Sequence, residues 1–428
     1  MVSTSGTDRL INVWITGEGI EFKSEDSAAQ YRQRARRLLD AVQLREPDRV
    51  PVCPLVGFFP VYYAGLTVQE AMYDTANACH AWEKYVLDFR PDAFQGPGLV
   101  WPGTALELLD YRLMRWPGHG TPPDIPYQYV EGEYMKPEEY DALIDDPSDF
   151  WLRHYFPRIF GSLAPLAALP PATDPIAVGN FIPFGTVEVR RALEAALAAG
   201  EELSRWAATV RASEQRLQAR GFPKLSGGVA LAPFDMLGDT LRGMRGIMMD
   251  MYRRPEKLLQ ALDRLTPLAI RMGVSSARSA GHPIVFIPLH KGADGFMSSR
   301  QFETFYWPSL KNTVLGLVAE GLIPLLFAEG GYDTRLETIR DLPPGRVIWL
   351  FDQVNMRRAK EVLGGMACIA GNVPGSLLAL GTPEEVRRYC RELISEAGRG
   401  GGFILSSGAA VDQAKPENLR AMIEAAGS

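Results

Sequence analysis

The sequence predicts an α/β fold, a (β/α)8 TIM barrel with an inserted hairpin and helical region covering the barrel mouth. Three observations carry that prediction. In the last third of the chain strand-like apolar runs recur about every thirty residues, each ends in a polar or glycine-rich turn, and a helical stretch follows each turn. Strand, loop and helix repeated in that order are what a parallel sheet wrapped by helices requires.

The first strand is expected at residues 50–56, after a basic helix over 28–44, and Gly57 ends it. A second strand at 93–98 follows a helix over 68–89 and runs into GPGLVWPG. A third at 225–232 ends in Pro233-Phe234-Asp235. Runs at 283–290, 323–329, 346–352, 367–372 and 402–407 bring the set to the eight a closed barrel needs, with helices over 299–320, 333–342, 356–363 and 382–397 between them. The polar residues sit at the carboxyl ends of the runs, which in a closed barrel open onto the face that carries the chemistry.

Residues 1–30 read as an N-terminal extension, and 31–428 as the barrel unit. Within it, 101–223 is an insertion that a minimal barrel does not need. Residues 110–130, rich in aromatics, glycine and proline, predict a hairpin. Pro137 and Pro147 bracket a short helix, and 187–220 reads as one long amphipathic helix. No low-complexity linker marks a boundary, so the insertion is expected to fold over the barrel mouth and shape the substrate pocket.

With 428 residues and 46% hydrophobic side chains the chain can bury a sizeable core. A net charge of -6 provides no basic footprint for nucleic acid or an anionic membrane surface, so a small molecule is the expected ligand. The amino terminus lacks a signal-peptide pattern and no apolar run is long enough to span a membrane, which predicts a cytoplasmic protein. Cys53, Cys79, Cys368 and Cys390 lie too far apart for a zinc finger and are expected to be buried free thiols.

Three stretches carry a family resemblance: RARRLLDAVQLREPDRVPV at the first strand, APFDMLGDTLRGMRGIMMDMYRRPEKL after the third, and GNVPGSLLALGTPEEVRRYCRELI with GGFILSSG at the end. Together they resemble the uroporphyrinogen decarboxylase superfamily, which also contains corrinoid-dependent methyltransferases. The resemblance runs from about residue 31 to 425 and implies the barrel, while one fold hosts more than one chemistry.

The decarboxylase branch carries an arginine in its first-strand loop, where this chain has Leu55-Val56-Gly57-Phe58-Phe59. That branch's aspartate after the second strand is replaced by Gln95-Gly96-Pro97-Gly98-Leu99, and its final-strand histidine finds no match in Ala409-Ala410-Val411. The methyltransferase branch uses a His-x-Cys pair and a later cysteine as zinc ligands. Here the pair reads Phe327-Ala328-Glu329 and the later position Ala409, so a thiolate zinc site cannot form.

Oxygen and nitrogen chemistry stands in its place. Glu329 ends a purely apolar run and precedes Gly330 and Gly331, which let a ligand approach the backbone. A carboxylate so placed suits metal ligation, general base catalysis or a cationic substrate group, and the structural alternative is an ion pair with Arg335 or Arg300. His290 at a strand end suits a proton donor or metal ligand, or else a capping hydrogen bond. Asp294, in the turn after Lys291, is either catalytic with these two or held by neighbouring backbone donors. Asp235, Lys291, Asp333, Asp352 and Asn372 are the candidate substrate-binding residues, with helix capping or loop holding as the other reading of Asp235 and Asn372. Asn355 reads as a helix cap.

His290 and Glu329 would form the nucleus of a zinc site with non-thiolate ligands, which requires them within ~10 Å of each other. The resemblance implies a methyltransferase, the demethylase component that moves a methyl group between a small organic compound, such as an aromatic methyl ether or an amine, and a corrinoid on a separate partner protein. A decarboxylase of another carboxylated ring and a non-catalytic ligand-binding barrel are the alternatives. A homodimer is compatible with the apolar helix faces.

Overall fold

The computed structural model describes residues 4–171 and 178–427. Six strands, Gly228–Val229, Ile284–Leu289, Ile323–Gly331, Ile348–Gln353, Cys368–Val373 and Phe403–Ser407, pair in parallel in sequence order. The last five occupy the five predicted C-terminal runs. Helices intervene, among them Trp307–Ala319, Met356–Leu363 and Pro383–Ala397.

Between the last strand and the first of the six the ring closes through sparse hydrogen bonds. Cys53 N donates to Leu405 O (2.9 Å), Asp92 N to Val52 O (3.0 Å), Phe94 N to Pro223 O (3.1 Å) and Leu225 N to Phe94 O (2.8 Å). The first two predicted strands therefore appear as isolated parallel bridges, Val52 with Leu405 and Val56 with Val411 for the first and Phe94 with Lys224 for the second, and the third is shorter than expected. Pro51, Pro54, Pro91 and Pro97 lack the N–H that a full ladder would use.

Side chains reinforce this seam. The Ser407 hydroxyl accepts from Leu55 N (3.1 Å) and donates to Leu55 O (3.2 Å). The buried Asp92 carboxylate takes Arg37 (2.5 Å), Arg49 (2.7 Å) and Val52 N (2.8 Å). Asp92→Ala would leave the Arg37 guanidinium, only 6% exposed, without that partner. The variant is expected to lose about 3–5 kcal/mol of stability in a urea titration with an unchanged slope.

Alternation with period two sorts the strand residues. Ile284, Phe286, Ile323, Leu325, Phe327, Ile348, Leu350, Cys368, Ala370 and Ile404 fill the barrel interior with Cys53 and Leu55. The residues between them, such as Val285, Leu326, Trp349 and Leu405, pack outwards on the helices. Ile11 and Trp14 of the helix Thr4–Thr16 join the interior cluster, and Trp14 meets His282, just before the strand Ile284–Leu289, edge to face at 5.4 Å. The N-terminal helix thus packs against the amino-terminal end of the barrel. All four cysteines are buried and free.

In the region 101–223 the predicted hairpin is present, Met114–Pro117 pairing antiparallel with Gln128–Tyr129. The predicted long helix is Val187–Ala219. The single helix expected over 68–89 is two, Val68–Tyr73 and Thr75–Phe89, because Asp74 ends the first and its carboxylate caps the second. Tyr134 N and Met135 N both donate to Leu241 O (2.8 Å each), laying the insertion on the loop that leaves the third strand. No helix among the described residues is long and apolar enough to cross a membrane.

Candidate functional site

At the carboxyl ends of the strands two carboxylates four residues apart face the turn after Leu289. Asp235 lies in the helical turn Pro233–Asp235, and Asp239 in the π-helical stretch Met236–Leu241 that continues it. Such widened turns recur at functional sites. The fully buried Asp235 carboxylate accepts from the backbone N–H of His290 (3.0 Å) and Lys291 (3.1 Å) and from the Tyr306 hydroxyl (2.7 Å). It satisfies two donors where the sheet ladder ends, so the helix-capping reading gives way to a strand-capping one.

Asp239 holds the side chains of the same pair. Its Oδ2 lies 2.6 Å from His290 Nδ1, and its Oδ1 receives the Lys291 ammonium. The other ring nitrogen, His290 Nε2, lies 3.8 Å from Glu329 Oε1. This meets the distance that cooperation required. Glu329 faces His290, whereas Arg335 packs against Asp294, so the expected alternative of an Arg335 pair at Glu329 is not what forms.

A bulge aims Glu329. The register of Ile323–Gly331 on Ile348–Gln353 shifts between Ala328 and Gly331, and bulges of this kind redirect side chains beside active sites. Gly330 adopts φ +79°, open to glycine at little cost, and its N–H donates to Asp352 Oδ2 (3.0 Å). Gly292 meets a different constraint, since a Cβ there would lie 2.2 Å from the Tyr332 hydroxyl oxygen.

The charges set one another. Burial works against the His290 imidazolium, but the Asp239 hydrogen bond, with the charges of Asp239, Asp235 and Glu329, raises its pKa to about 9. Although 37% of the side chain reaches solvent, it is a cation at neutral pH. Burial, with the charge of Asp239 beside it, pushes Asp235 well above the usual carboxylate range. Burial also works against ionised Asp239, yet His290 and Lys291 hold it below that range. Glu329 and Asp352 are raised, burial being the main cause in both.

The structure thus gathers His290, Lys291, Glu329 and Asp235, with Asp352 alongside Glu329. Asp294, Asp333 and Asn372 are engaged elsewhere. Asp294 Oδ1 accepts from the Thr334 hydroxyl (2.6 Å) and lies 3.3 Å from Arg335 Nε, which locks two loops together. Asp333 accepts from Asn355 N (3.0 Å), and Asn355 caps the helix Met356–Leu363 as its sequence predicts. The Asn372 amide donates to Val354 O (2.8 Å) beside a cavity of about 200 Å³ that Tyr389 and Glu392 also line. Asn372 thus holds the Val354 carbonyl and also lines that cavity.

Sequence reasoning missed Asp239, Tyr306 and Asp412. The spacing of Asp235 and Asp239 places both carboxylates on one helical face, a legible signal. Asp412 follows the last strand, accepts from Phe58 N (2.8 Å), and is raised by burial.

A zinc ion does not fit this donor set. Catalytic zinc takes three protein ligands, and among the described residues no group of three or more His, Cys, Asp or Glu side chains is arranged to hold a metal. His290 also has Asp239 on Nδ1, so that nitrogen is not open to a metal.

Comparison with known proteins places the chain in a family. The chain is similar to uroporphyrinogen decarboxylase from Neisseria meningitidis serogroup C, 27% identical over 199 residues that cover 45% of this chain and 54% of that protein. The same enzyme from Syntrophotalea carbinolica is 24% identical over 220 residues, 50% of this chain and 62% of that one. The match thus spans between half and two thirds of the length of these curated relatives. A methyltransferase from Methanosarcina mazei has a similar structure, with a TM-score of 0.57 at 16% identity, covering 92% of this chain and 97% of that one, which speaks to the fold. The sequence profile described as Uroporphyrinogen decarboxylase (URO-D) matches residues 202–428, more than half of the chain and all of the barrel from the second half of the long helix onward, so this chain belongs to the uroporphyrinogen decarboxylase family.

Proposed function

We propose that this protein transfers a methyl group from a small organic donor, an aromatic methyl ether or an amine, to a corrinoid carried on a separate protein, with His290 as the proton donor. The observation that carries this reading is the line Asp239, His290, Glu329, in which the imidazolium is oriented from behind and presents Nε2 at the strand ends. As the bond between methyl carbon and heteroatom breaks, the heteroatom keeps the electron pair and takes the Nε2 proton, which makes it a better leaving group. The corrinoid, when its protein is docked, supplies the nucleophile that receives the methyl. Asp235 fixes the backbone of His290 and Lys291, and Glu329 with Asp352 binds the donor's polar end. Residues 31–428 act as one barrel unit on this reading, with 101–223 as its lid.

The names of the curated relatives favour a second reading, decarboxylation of a ring carboxylate. There carbon dioxide leaves with the bond to the ring carbon broken, and the same Nε2 proton is delivered to the carbanion left behind. The test is to incubate the purified chain with methoxyarenes, methylamines and ring carboxylates, with cob(I)alamin present or absent. Corrinoid-dependent demethylated product supports the first reading; carbon dioxide release without corrinoid replaces it with the second. Binding without turnover in either assay would leave a non-catalytic barrel.

A further inference from the structure

The cavity of about 200 Å³ beside Asn372 takes no part in the arrangement around His290. It lies between the helices Met356–Leu363 and Pro383–Ala397, and Val354, Met356 and Leu393 supply its apolar lining. Tyr389, Glu392 and Glu396 recur on the second helix at spacings of three and four, so one stripe of that helix faces the cavity. At about 30 Å³ each, roughly six waters would fill it. Only a small ligand fits.

Two acceptors in the lining have no donor. Asn372 is only 6% exposed, and its amide nitrogen is spent on Val354 O (2.8 Å). The amide oxygen accepts from none of the described residues and stays open to the cavity. An acceptor held so deep costs stability until a donor reaches it. The Glu392 carboxylate likewise enters no ion pair or hydrogen bond among the described residues, whereas Glu396 is taken by Arg357. The Tyr389 hydroxyl donates to Asn372 O (3.4 Å), which leaves its oxygen free to accept. Burial raises the pKa of that hydroxyl, and the neighbouring Cys390, Glu392 and Glu396 raise it further. The field in the cavity is negative.

We propose that the cavity binds a small primary alkylammonium ion, its head between the Asn372 amide oxygen and the Glu392 carboxylate and its alkyl chain against Val354, Met356 and Leu393. A primary ammonium brings three donors and no acceptor, which matches two unfilled acceptors and a tyrosine oxygen. Hydrogen bonds from a charged donor are also the strong ones. A carboxylate ligand would instead meet Glu392 with like charge. A metal ion asks for more ligands than this, since among the described residues no three His, Cys, Asp or Glu side chains gather to hold one. The site stands apart from the mouth but is joined to it. Asn372 holds the carbonyl of Val354, two residues past Asp352, so the ion sits one amide behind a carboxylate that neighbours Glu329.

Calorimetric titration of the full chain with n-butylammonium chloride at constant ionic strength tests this, and it reads no turnover, so the result is independent of the methyl-transfer reading. One ion per chain is expected to bind with a dissociation constant on the order of 1 mM, and the neutral isostere 1-butanol about tenfold more weakly. Glu392→Gln is expected to weaken butylammonium binding about tenfold at an unchanged melting temperature, since that carboxylate holds nothing in the fold. Glu392→Lys supplies the cavity with an ammonium of its own and is expected to abolish binding. Glu329→Gln, which alters the mouth alone, is expected to leave the affinity as it is. A wild type that binds no butylammonium overturns the proposal. So does binding that both Glu392 variants leave intact, or that Glu329→Gln removes, which would put the ion at the mouth.

Discussion

Replacing His290 by glutamine is expected to lower turnover by about 10²–10⁴-fold, with substrate affinity little changed. Glutamine keeps a hydrogen-bonding group near Asp239 and Glu329 but has no proton to give. The loss should therefore appear in kcat, since an interaction made only as the leaving group departs does not help the ground state. A loss confined to KM would make His290 a binding group and remove the acid from the mechanism. The fold should survive, because Asp235 accepts from the His290 backbone N–H, which the substitution leaves in place.

Asp239→Asn is expected to move the pH dependence rather than abolish activity. With Asp239 ionised, His290 titrates at about 9 against an ordinary value of 6.5, so the wild-type acid persists through neutral pH and activity falls as pH rises through 9. An asparagine removes both the charge and the charge-assisted hydrogen bond that oppose burial, and the alkaline limb should fall back towards 6.5. At pH 8 that shift reduces the protonated fraction roughly thirty-fold; well below pH 6 the two proteins should converge. The raised pKa makes a stability statement of the same sign. The contribution of the pair is fully present below 6.5 and is lost as pH rises through about 9. An alkaline limb that stays put in the variant would mean that another group limits the rate.

Most of the barrel is legible in the sequence because its second half is made of uninterrupted apolar runs with glycine at their ends. The run before Glu329 and the one before Asp352 end where the strands end, within a residue or two. The first half is harder, for the same prolines that break its ladders also break its pattern. At the site, the ends of the apolar runs locate Glu329, Asp352 and His290, whereas the bulge that aims Glu329 is not written in its run. Asp239 is harder to read because its partner lies 51 residues away. The placing of Asp294 turned on Thr334 and Arg335, whose approach depends on a loop packing that no local spacing encodes.

The seam of the barrel has a consequence for how the protein is made. Leu55 is bonded to Ser407, 352 positions further along the chain. During synthesis, then, the opening strand waits for its neighbour until the 352 positions that separate them have been made. Until that moment the growing sheet has an unpaired edge at each end, the kind of surface that recruits stray strands. Closure is a late, long-range event, and the Asp92 carboxylate, gathering Arg37, Arg49 and Val52 within the first hundred residues, keeps the waiting segment in the shape its last partner will need.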